Sequence, residues 1–272
     1  QLLENCEKVC EVRKMLKLKK WDDLLKYMEL NTNEVKDQSI ESELNLAVNE
    51  SKNQSLLKLL KECLKDGSLP GEIGDLNNFN YLKTEAIEAA VAQASQFEYA
   101  SNRLVERYNL GVFILKLRKS LKDQEWNNVE AILNNVDAKK MDTVCDEEIE
   151  RARSEYENHM IIDSCTKAIE VGKVTGTVEN PVLENVSADK IHKALDSTKG
   201  MLRITSSAKA RTYACMMLKT LRGYLVVENY NHLLVVTEDI KYDDLPKEVL
   251  PEIKLIEHLV RDYTVFTSLK DC

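Results

Sequence analysis

Two stretches of this 272-residue chain, KDGSLPGEIGD (65–75) and EVGKVTGTVEN (170–180), hold five of its eight glycines, among them the pairs Gly67 and Gly71, and Gly172 and Gly176. A glycine-rich loop cradles phosphate when the spacing is G-x-x-x-x-G-K-[ST] after a strand, so that bare N–H groups and a lysine converge on the anion. The first stretch has no such lysine, the second carries Lys173 inside the wrong spacing, and both follow segments of helical apolar periodicity (SLLKLLKECLKD and IIDSCTKAIEV). A glycine just past a helix end accepts a left-handed backbone and closes the last turn. Gly67, Gly71, Gly172 and Gly176 are therefore read as helix-end glycines, with a short hairpin at VTGTVEN as the alternative.

Other residue types capable of chemistry lack the required spacing. His159, His192, His232 and His258 are scattered, and none belongs to an H-E-x-x-H motif. Cys6 and Cys10 are one helical turn apart, but a closed zinc site needs four ligands and no second pair stands nearby. Seven cysteines is an odd number without framework spacing, which points to free thiols in a reducing compartment. Glycosylation triplets occur at Asn49, Asn53 and Asn185, without a secretory signal to give them meaning. Carboxylates are abundant, yet nothing selects an acid/base pair in a shared cleft. The reading names no catalytic residue, no cofactor and no metal.

The informative pattern is self-similarity. RKMLKLKKWDDLLKYM (13–28) aligns with RKSLKDQEWNNVEAIL (118–133) at an offset of 105 and with RGYLVVENYNHLLVVT (222–237) a further 104 on. Arg13, Arg118 and Arg222 coincide, and so do Trp21, Trp126 and Tyr230, eight residues later. Gly67 and Gly71 fall on Gly172 and Gly176. The aromatics are read as core anchors, ring packed and polar edge bonded. The arginines are read as structural, either paired with an acid across a helix junction or lying over the ring. Cys6 falls on Gly111 and Cys215, a small-residue position suited to close helix approach.

These residues must be positioned by helices. Between 67 and 171, apolar spacing predicts four: Ile87 to Phe97, about 99–123, a short one carrying Trp126 and Val129, and about 145–170. With eight Gly and four Pro, 43% hydrophobic and 31% charged residues, the composition suits a helix-rich globular chain. The expected fold is all-α: tandem repeats of about 105 residues, four helices each, stacked as an α-solenoid-like array. The expected units are 1–66 (a truncated first), 67–171 (complete) and 172–272, with the whole an excised segment of a longer protein. The pattern resembles helical-repeat proteins in general; the tetratricopeptide signature W-x-x-L-G-x-x-Y is missing, and ankyrin, armadillo and leucine-rich patterns also fail.

A net charge of −8 disfavours nucleic acid and anionic lipid, and no apolar run approaches the roughly 20 residues of a membrane span. The expected function is a non-catalytic scaffold or adaptor segment of a larger intracellular assembly, cytoplasmic in setting with a cytoskeletal or ciliary assembly as the narrower expectation, binding other proteins. The alternatives are a regulatory domain of an enzyme encoded elsewhere in the full chain, or a calmodulin-binding module centred on Trp21, where VRKMLKLKKWDDLLKYM forms a basic amphipathic segment.

Overall fold

The computed structural model describes residues 2–31, 38–66, 68–69, 71–135, 145–201 and 205–270. They form α1 (Leu2–Lys17), α2 (Trp21–Asn31), α3 (Gln38–Lys65), α4 (Glu85–Ser95), α5 (Asn102–Lys122), α6 (Trp126–Asn134), α7 (Asp146–Glu170), α8 (Asp189–Ser197), α9 (Ser206–Val226), α10 (Tyr230–Glu238) and α11 (Leu250–Lys270). A 3-10 turn, Leu76–Tyr81, precedes α4. The one sheet among the described residues is a hairpin of β1 (Thr175–Gly176) and β2 (Pro181–Val182). The architecture is therefore all-helical apart from that hairpin, which is where the alternative reading of VTGTVEN placed it.

The chain forms two compact units, one of Gln1–Gly71 with Asp75–Ala152, the other of Glu72–Gly74 with Arg153–Cys272. In the first, α2 packs on α3, and α3 carries α4 and α5 on its C-terminal half. Val12, Leu24 and Ala47 close one core cluster, and Leu60, Ala90, Ala94 and Leu104 another. In the second unit a single core joins Ile161, Ile191, Leu218, Leu233 and Ile253. Burial of each such aliphatic side chain contributes about 1.5–3 kcal/mol.

Several pairs of positions 104 apart are equally buried. Leu117 and Leu221, Val129 and Leu233, and Ile87 and Ile191 are each at most 1% exposed. Ser101 caps α5 by accepting the Leu104 N–H, and Thr205 caps α9 by accepting the Ala208 N–H. The expected α5 and α7 boundaries are met within three residues; most of the expected break after α6 lies outside the described residues.

Helices α1, α5 and α9 end alike, and without glycine. Lys19, Gln124 and Glu228 each take φ +54°. In each case this residue's N–H reaches the carbonyl three residues back (Leu16, Leu121, Leu225), and the next N–H reaches five back (Met15, Ser120, Tyr224). That hydrogen-bond pair is the Schellman closure. It also breaks the basic segment around Trp21 into α1 and α2, with Val12 and Leu24 buried at 2% and 0% exposure. The segment on which the calmodulin reading rests is thus two helices, with Val12 and Leu24 in the core and Leu18 exposed.

The expected helix-end glycines divide. Gly67 lies outside the described residues. Gly172 follows α7 directly after Val171 with φ +67°, as expected. Gly71, at φ +75°, stands six residues past α3 and packs on Asn78; Gly176, at φ +93°, lies in β1, where a Cβ would come 2.3 Å from the Asn180 carbonyl. These two serve a loop and a hairpin and terminate no helix.

A left-handed non-glycine residue costs roughly 1 kcal/mol relative to glycine. Gln124→Gly should raise stability by about 0.5–1 kcal/mol, read as an upward shift in urea midpoint. Gly172→Ala should lower it by about 1–3 kcal/mol, since its Cβ would sit 2.8 Å from the Ser187 carbonyl oxygen.

Candidate functional site: two buried arginine networks

The most concentrated chemistry in each unit is a buried guanidinium. Arg118 lies on α5 at 0% exposure. Its Nε and Nη2 donate to Glu148 Oε1 at 2.6 Å and Oε2 at 2.8 Å, a bidentate pair with the first turn of α7. Its Nη1 donates to the carbonyls of Asp66 and Lys83, both at 2.8 Å, and Nη2 also reaches the Leu64 carbonyl at 3.3 Å. A guanidinium has five N–H donors, and these five bonds use all of them.

Arg222 repeats this arrangement in the second unit. From α9, also at 0% exposure, it donates through Nε and Nη2 to Glu252 Oε1 and Oε2, each at 2.8 Å. Nη1 reaches the carbonyls of Val171 at 2.7 Å and Ser187 at 3.3 Å, and Nη2 reaches Ile169 at 2.6 Å. Glu252 Oε1 additionally accepts the Val174 N–H at 2.9 Å. Each partner of Arg222 stands 104 or 105 residues after a partner of Arg118.

The electrostatics explain the placement. The carbonyls at 64 and 66, or 169 and 171, are at or just past the C-terminal end of a long helix, where the helix dipole is negative and a cation is favoured. Glu148 and Glu252 lie in the first turn of the next long helix, where the dipole is positive and favours an anion. One ion pair therefore joins two helix ends of opposite polarity. It also satisfies carbonyls that have lost their intrahelical donors, groups that are costly to bury unpaired. Removing one partner of such a buried pair typically costs about 3–5 kcal/mol.

A second polar brace lies on each of α3 and α7, eleven residues before Leu64 and Ile169. Asn53, 3% exposed, accepts the Ser101 N–H on Oδ1 at 2.7 Å and donates to the Tyr99 carbonyl at 3.0 Å. Asn158, 4% exposed, accepts the Thr205 hydroxyl on Oδ1 at 2.6 Å. Both asparagines fix the residue that caps the following helix.

The sequence-derived arginines separate by environment. Arg118 and Arg222 pair with an acid across a helix junction, the first of the two roles considered; Arg13 is exposed. The aromatics are first residues of short helices. Trp126 is half-buried, edge-on to Phe79 at 5.9 Å; Tyr230 is half-buried, stacked on Tyr263 at 4.1 Å. The side chain of Trp21 is outside the described residues. Neither described ring is a fully buried anchor. Cβ atoms tilt toward a helix N-terminus, so a ring at the first position lies back over the preceding junction, and the deep positions go to Leu24, Val129 and Leu233, each at 0% exposure.

Gly111 bears out the small-residue reading locally, since a Cβ there would meet Val91 at 3.0 Å and Leu60 at 3.4 Å. Cys215 is buried, donating its thiol to the Cys165 carbonyl at 3.7 Å; a side-chain interaction with the Cys165 thiol, and then burial, push the Cys215 pKa well up. Cys6 is exposed. Among the described residues, no group of three or more His, Cys, Asp and Glu is placed to hold a metal, and no helix is long and apolar enough to cross a membrane.

Glu148, Glu252, Asn53 and Asn158 escaped the sequence reading. A signal for the acids was present: glutamate follows arginine by 30 residues at 13/43, 118/148 and 222/252. No protein-family model, curated protein or solved structure matches the chain.

Lysine at either arginine position keeps the charge but cannot form the fork. Arg118→Lys and Arg222→Lys should each cost about 3 kcal/mol or more. Hydrogen exchange should accelerate mainly around the ends of α3 and α5 for the first substitution, and around α9 and the start of α11 for the second.

Proposed function

We propose that this chain is a non-catalytic helical scaffold or adaptor, built on a tandem module of about 105 residues, that binds other proteins of a larger assembly. The observation that carries this reading is the recurrence of the five-bond arginine network at one phase of the module. Each guanidinium spends every donor on the fold, so its charge supplies rigidity and has none left for a ligand.

The outer surfaces support the same reading by their variation. Where one module has Lys58, Lys61 and Arg103, the other has Asp163, Thr166 and Ser207. A fixed interior joint with freely changing outer faces is how repeat proteins diversify their partners without altering their framework.

Cross-linking mass spectrometry on the native extract tests the proposal. The expected outcome is a reproducible set of neighbouring proteins linked to exposed lysines of this chain, lost when Arg118→Lys loosens the fold. A purified chain that has no such neighbours and turns over a metabolite would overturn it.

A further inference from the structure

A groove between α3 and α5 has a charge opposite to that of the whole chain. The chain carries −8, yet this groove of about 540 Å3 is lined by Lys58 and Lys61 from α3 and by Arg103 and Arg107 from α5, with Glu106 as its one carboxylate. Leu57 and Leu110 supply the apolar part of the lining, and Leu110 is 7% exposed. The spacing explains the convergence: 58 and 61 on one helix, and 103 and 107 on the other, are one turn apart and share a face.

The fold does not require this charge. At the corresponding positions of the second unit, 104 or 105 residues on, stand Asp163, Thr166, Ser207 and Arg211, so one cation remains of four and an acid replaces one of the others. The helices there, α7 and α9, bury the same phase of side chains, as Leu104 with Ala208 and Ile114 with Leu218 show. Lys58, Lys61 and Arg103 are exposed at this groove, and such a local concentration of positive charge favours an anion.

We infer that the α3–α5 groove is a binding site for a short acidic segment of a partner protein, with an apolar side chain between its carboxylates. This rests on the scaffold reading and names the chemistry of one partner. The volume is within the roughly 300–1,000 Å3 range of small-ligand sites, enough for a few side chains. Clustered Arg and Lys recognise carboxylates through charge-assisted hydrogen bonds, and the leucines accept the apolar side chain. A nucleic-acid strand fits less well: no aromatic side chain lines the groove to stack a base, and the negative charge of the remaining chain repels a long polyanion.

Fluorescence anisotropy of the full chain with the peptide fluorescein-Glu-Asp-Leu-Glu-Glu tests the site. Binding should weaken with rising salt and fall at least about tenfold in the Lys58→Glu/Lys61→Glu variant. Those lysines are exposed, so circular dichroism should report an unchanged fold. Lys190→Glu/Lys193→Glu on α8 makes the same change in net charge on exposed residues and should leave binding intact. No binding by the unaltered chain, an equal loss in the α8 variant, or equally tight binding of an oligothymidylate of matched charge would each overturn the assignment. Cross-linked neighbours contacting other faces would then leave the scaffold reading standing while this site fell.

Discussion

A guanidinium removed from water is the constraint around which each unit is organised. Leaving a cation of this kind unpaired in a protein interior costs several kcal/mol, so its partners must be assembled when the helices close. Arg118 collects the end of α3, the Lys83 carbonyl ahead of α4, and the beginning of α7 in one set of bonds. The hydrophobic contacts around it favour compaction but do not choose among similar packings. The fixed fork of the guanidinium does, because its five donors match only one placement of three carbonyls and one carboxylate. Helix polarity contributes to the same choice, since exchanging the two helix ends would set the cation against the positive pole and the glutamate against the negative one.

Much of this organisation was legible in the sequence. Apolar periodicity placed the helices, and self-alignment paired Arg118 with Arg222 before any contact was known. At the same offset of 104, Ile149 and Ile253 are 5% and 0% exposed. Periodicity reports which face is buried and carries no information about partners 30 or 50 residues away. Periodicity therefore does not distinguish Glu148 from Asp146 and Glu147 in the first turn of α7, although it alone of the three is buried.

The glycine reading failed at Gly71 and Gly176 for a more specific reason. Glycine is the expected residue where φ turns positive, so Gly71 and Gly176 drew attention that belonged to Lys19, Gln124 and Glu228. Those three residues accept the left-handed backbone because two closing hydrogen bonds, and the burial of the following short helix, outweigh roughly 1 kcal/mol of steric cost. The aromatics were misjudged in depth for a comparable reason. Recurrence identified their position in the module, but a side chain at the first residue of a helix leans over the junction and leaves the centre to the aliphatic residue behind it.

The asparagine braces bear on how the polypeptide can be made. Asn53 begins an Asn-Gln-Ser triplet, yet in the folded unit its amide is enclosed and bonded to Tyr99 and Ser101. An oligosaccharide on that nitrogen would occupy the space where the chain between α4 and α5 meets α3, and would remove a donor from the brace. Attachment of sugar at Asn53 and completion of this fold are therefore mutually exclusive: a molecule modified during translocation would be held open at the seam between α3 and α5.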